Sequence, residues 1–135
     1  MATITDAKLT ISHDHAKKLA TPVVTCHVNF SPQDMALMNA LPNVRVFKLK
    51  CQLWGADEWF NGGDDNLGLA VYSRVHYFAD STPTPTESRT FSAEVGEGVL
   101  DEDNGIDEIY GKLTLYNLVF PSIVSKKTNE VHHSF

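Results

Sequence analysis

With 135 residues the chain has the length of one domain, enough to bury a substantial core. Its 42% hydrophobic and 21% charged composition excludes a disordered chain, and no apolar run reaches the roughly 20 residues of a membrane-spanning helix. A net charge of −6 argues against nucleic acid as a partner, because phosphate neutralisation needs a basic surface.

Lys8–His13 (KLTISH) reads as a short strand with Leu9 and Ile11 inward, followed by His13-Asp14-His15 and a connector. In Pro22–Phe30, Val24, Cys26, Val28 and Phe30 share one face and Val23, Thr25, His27 and Asn29 the other. Ser31 can cap a helix, Pro32 suits its first position and Asp34 its positive end, so a short helix is expected over residues 32–40, closed by Pro42. Its apolar side (Met35, Leu37, Met38, Leu41) would plug one end of a sandwich. Val44–Trp54 carries the cleanest pattern in the chain: Phe47, Leu49, Cys51 and Leu53 alternate with Lys48, Lys50 and Gln52. Period two describes a strand with one buried and one wet face, around which the rest can be organised.

The glycine- and acid-rich GADEWFNGGDDNLG is a long turn, and Leu69–Ala79 a fourth strand. The prolines of DSTPTPTES stiffen a connection, since they donate no ladder hydrogen bonds. Arg89–Val95 is expected as a fifth strand with Phe91, Ala93 and Val95 inward, and Gly96 with Gly98 suggest a bulge. Ile109–Val119 forms a sixth strand, and Ile123–Phe135 a seventh, interrupted near residues 126–129. The expected architecture is a single all-β domain over residues 1–135, an antiparallel two-layer β-sandwich of Greek-key type with about seven strands. Cys26 and Cys51 are too few for a disulfide framework: they read as buried reduced thiols, or as one bridge in an oxidising compartment. The N-terminus lacks the basic start and apolar core of a signal peptide, so a cytoplasmic setting or leaderless export is expected, a processed chain being the alternative.

Charge is segregated along the chain. Residues 1–55 carry six Lys/Arg against three Asp/Glu, residues 56–110 two against thirteen, and residues 111–135 three against one. With antiparallel neighbours, alternate connections gather at one end, which would bring His13-Asp14-His15 and the two acidic loops together. Asp64, Asp65, Asn66, Asp101, Asp103 and Asp107 are therefore candidate Ca²⁺ ligands, set against plain solvated acidic loops; the EF-hand spacing itself fails at Leu100. His13 and His15 are spaced for a transition metal such as Zn²⁺ if a third ligand arrives from elsewhere, for instance His132 or His133. Trp54 and Trp59 beside Asn61 offer an aromatic and amide surface suited to a glycan or other small ligand.

No nucleophile elbow, zinc-protease helix or phosphate loop occurs, and nothing activates either cysteine. The expectation is a non-catalytic structural or interaction module that binds a protein partner or forms a homo-oligomer. A calcium-assisted, lectin-like binding module is the alternative, with a metal-dependent enzyme behind it.

Overall fold

In the computed structural model, which describes residues 1–55, 65–66, 72, 74–78, 83–100 and 107–133, the apolar alternation resolves into two antiparallel sheets. The chain runs β1 (Thr3–Asp14), β2 (Leu19–Asn29), α1 (Pro32–Ala40), β3 (Phe47–Gly55), β4 (Asp65–Asn66), β5 (His76–Phe78), β6 (Thr86–Ser92) and β7 (Val95–Gly96). A 3₁₀ turn (Glu97–Val99), β8 (Asp107–Asn117), β9 (Ser122–Lys127) and β10 (Val131–His133) complete it. In the first sheet β2 is central, with β1 on one side and β6 and β7 on the other. In the second, β3 and β8 lie side by side, flanked by β4 and β5 on the β3 edge and by β9 and β10 on the β8 edge. The fold is an all-β sandwich, with one α-helix among the described residues.

The inner rows follow the sequence alternation. Val24 and Val28 of β2, Leu49 and Leu53 of β3 and Leu113 of β8 have no exposed surface and form one core with Phe91 and Phe47. Phe30 packs on Phe47 and Phe78 with ring centroids 5.0 and 5.3 Å apart. Helix α1 begins with a capping box in which the Asp34 N–H donates to Ser31 Oγ and the Ser31 N–H to the Asp34 carboxylate. Met38 is buried, and Met35, Leu37 and Leu41 pack against the same core. Both cysteines are free and buried. Burial pushes the Cys26 thiol up to about 11, against a smaller opposing pull from Arg89, and raises Cys51 further.

Several boundaries differ from the sequence reading, each for a local reason. β1 starts at Thr3 rather than Lys8 because a bulge between Thr5 and Lys8, with Asp6 at φ 53°, reverses the alternation: Ala2 and Ile4 point inward before it, Leu9 after it. β2 starts at Leu19. The expected fifth strand is split into β6 and β7 opposite Thr21–Pro22, where Pro22 supplies no N–H to the ladder. Pro85 marks the start of β6 without ending its bonding, since its carbonyl accepts the Phe30 N–H at 2.8 Å. Gly96 caps a 3₁₀ turn and Gly98 lies within it, in place of a bulge, and the fully buried Leu100 closes it. Of the expected fourth strand, His76–Phe78 pairs with β3, and Arg74 and Val75 precede the strand. The last strand breaks at Thr128, whose N–H donates to the Gly111 carbonyl (2.9 Å) while its hydroxyl accepts the Gly111 N–H (2.8 Å).

One edge is closed by a side chain. The Asn129 amide accepts the Leu9 N–H at 2.8 Å and donates to the Leu9 carbonyl at 3.0 Å, standing in for a strand beside β1. Among the described residues, no helix is long and apolar enough to cross a membrane.

Candidate functional site

Two places concentrate chemistry. The first is the β1–β2 turn. Asp14 is used in building it: its carboxylate accepts the Lys17 N–H at 3.2 Å, the Lys18 N–H bonds the His15 carbonyl, and Lys18 takes φ 55°. The flanking histidines converge, with ring centroids 5.3 Å apart in an edge-on arrangement. β7 runs along the start of β2 (Leu19 opposite Gly96), and the Glu97 N–H bonds the Lys18 carbonyl at 3.0 Å. That pairing delivers the Glu97 carboxylate to His13 Nε2, with which it is hydrogen-bonded, and to within 3.6 Å of His15 Nδ1. His13 and Glu97 are largely covered, whereas His15 is 85% exposed. The His13 hydrogen bond, with the nearby charges of His15, His13 and Lys18, holds the Glu97 carboxyl below its ordinary range against a smaller desolvation effect.

The sequence pairs His13 with His15 but gives no sign of Glu97, which lies 84 residues further on. The only local hint is a lone acid between two glycines. His132, a candidate third ligand, instead lies 3.8 Å from Glu108, its cross-strand neighbour on β8.

The second place is the outer face of that sheet. Register aligns Tyr77, Lys48, Tyr116 and Ile123 in one row, Lys50, Thr114 and Ser125 in the next, then Gln52, Lys112 and Lys127, then Trp54 and Tyr110. The ammonium groups sit over rings: Lys48 and Lys50 lie 5.5 and 5.9 Å from the Tyr116 centroid, Lys112 5.7 Å from Trp54 and Lys127 4.5 Å from Tyr110. Arg45 extends the pattern over Tyr77 at 4.3 Å. Lys112 and Lys127 stand directly opposite each other, a like-charge pairing that cross-strand energetics disfavour. From the Lys48 row to the Gln52 row, the described residues of this face include no carboxylate. At its upper edge Phe120 and Ile123 are more than 60% exposed beside Leu118, held there by bonds from the Val119 and Phe120 N–H groups to the Asn117 side chain.

Trp54 joins this face at its lower end, half-buried, and its indole N–H is buried with no hydrogen-bond partner among the described residues. Trp59, Asn61, Asp64, Asp101 and Asp103 lie outside the described residues, and Asp65, Asn66 and Asp107 are described as backbone only. The register nevertheless brings the flanks of the two acidic segments together, since Gly55 pairs with both Asp65 and Ile109. No family model matches this chain, and no curated protein or solved structure matches it either.

Proposed function

We propose that this protein is a non-catalytic interaction module whose lysine- and aromatic-bearing sheet face receives an acidic surface, in the first place that of another copy of the chain. The observation that carries the reading is the clustering of Lys48, Lys50, Lys112 and Lys127 on one face of a protein with net charge −6. Cation–π contacts at exposed sites contribute only about 0.5–1 kcal/mol each, so the Tyr116 ring orients the Lys48 and Lys50 ammonium groups without neutralising them. A carboxylate-rich partner would complement the Lys48, Lys50 and Lys112 ammonium groups, and the 56–110 segment, with thirteen Asp/Glu against two Lys/Arg, carries such charge in every copy. Phe120 and Ile123 add apolar contact area at the rim. Contact between unlike surfaces is head-to-tail, which gives rings or open chains rather than two-fold dimers.

Light scattering over a concentration and salt series tests this. The expected result is association at low ionic strength that weakens with salt and is abolished by combining Lys48→Glu with Lys112→Glu. A monomer under every condition overturns self-association.

A second reading is a glycan platform around Trp54, supported by the place of its half-buried indole at the lower end of this face, beside Tyr110. Ca²⁺ bound by the acidic segments would assist it. Glycan-array binding that is lost with Trp54→Ala, and compared with and without chelator, tests both parts. Absence of binding in either condition removes this alternative.

A further inference from the structure

We infer that His13, His15 and Glu97 form a binding site for a divalent transition ion of the Zn²⁺ class, which clips the β1–β2 turn to the segment after β7. One nitrogen from each imidazole and one carboxylate oxygen all lie within 4.8 Å of one another. A four-coordinate zinc with bonds of about 2.0–2.1 Å needs donors roughly 3.3 Å apart. His15 Nδ1 stands 3.6 Å from the Glu97 carboxylate already, so side-chain rotation suffices. Two imidazoles with one carboxylate are borderline donors that favour Zn²⁺ and its neighbours over Ca²⁺ or Mg²⁺, which take oxygen ligands.

The surroundings set the terms of binding. Lys18, whose carbonyl accepts the Glu97 N–H, adds a positive charge that opposes an incoming cation. The exposed ring of His15 leaves the fourth position open to water, and a cleft of about 300 Å³, lined in part by Ser12, Asp14 and Glu94, adjoins His13. Two turns of the chain 84 residues apart would be joined, so the bound ion stabilises the fold by closing a long loop.

The test is calorimetric titration of the metal-free full chain with Zn²⁺, in a His132→Gln/His133→Gln background that removes the adjacent histidine pair. Co²⁺ serves as the spectroscopic probe. Expected are one ion per chain, a tetrahedral Co²⁺ absorption band and a melting temperature several degrees higher with Zn²⁺. Each of His15→Ala and Glu97→Gln should weaken binding at least about tenfold, a ligand's loss mattering no less than that of an outer-shell partner. His15 is exposed, so His15→Ala should melt like the parent protein in chelator, which separates lost binding from lost folding. Absence of saturable binding at micromolar Zn²⁺, or binding that survives both substitutions, overturns the site and leaves a histidine–glutamate ion pair.

Discussion

Lys48 and Leu49 are adjacent in the chain, yet the two faces of the β3–β8 ladder obey different physics. Inward, Leu49, Leu53, Leu113 and Ile109 have no exposed surface and define how the sheets pack. Outward, Lys48, Lys50 and Lys112 hold their ammonium groups over the rings of Tyr116 and Trp54. The inner row therefore controls whether the protein folds, and on the proposed function the outer row sets what it meets once folded. Substitution can separate the two.

The largest effect is expected inside. Leu49→Ala and Phe91→Ala should each lower the unfolding free energy by about 2–5 kcal/mol in a urea titration, through lost apolar burial and residual cavity. If either proved as mild as a surface change, the inward assignment of its strand would fail. Gly111→Ala should follow at about 1–3 kcal/mol, since the added methyl would come within 2.9 Å of Val24 Cγ2 and 3.1 Å of Thr128 Cγ2. Glycine is needed here because β8 passes close beneath β2 while its backbone bonds Thr128.

A smaller effect belongs to His76, a titrating group at the rim of the inner face, set edge-on against Phe91 at 4.7 Å. Burial first, then the charges of Arg89 and Arg74, hold it below its ordinary 6.5, with a backbone bond to Thr90 opposing. The folded protein thus stays neutral there while the unfolded chain takes up a proton. Its contribution is complete above pH 6.5 and is lost as pH falls below it toward the folded value. Melting temperature measured against pH should therefore decline below that point, and His76→Gln should flatten the decline. An unchanged slope would assign the acid sensitivity to another group.

Least of all, Lys48→Ala and Lys50→Ala should change stability by no more than about 0.5 kcal/mol while reducing low-salt association. Lysine changes as damaging to folding as Leu49→Ala would mean that β3 is shifted by one residue, and the distinction between the faces with it.

Much of the architecture is legible in the sequence because it is written locally. Period-two alternation is enough to assign the two faces of β3, and Ser31, Pro32 and Asp34 lie within one helical turn of the start they define. Asp6 breaks the alternation of β1, and the strand before it is hidden for that reason. Pro22 acts across the sheet on a partner 70 residues away, dividing β6 from β7. What only the tertiary structure decided are the long-range coincidences. Glu97 reaches His13 and His15 through the pairing of β7 with β2, and lysines from β3, β8 and β9 meet on one face through register alone. Local preferences reach a few residues along the chain, whereas these sites are made by strand pairing between segments that burial of the core brings together.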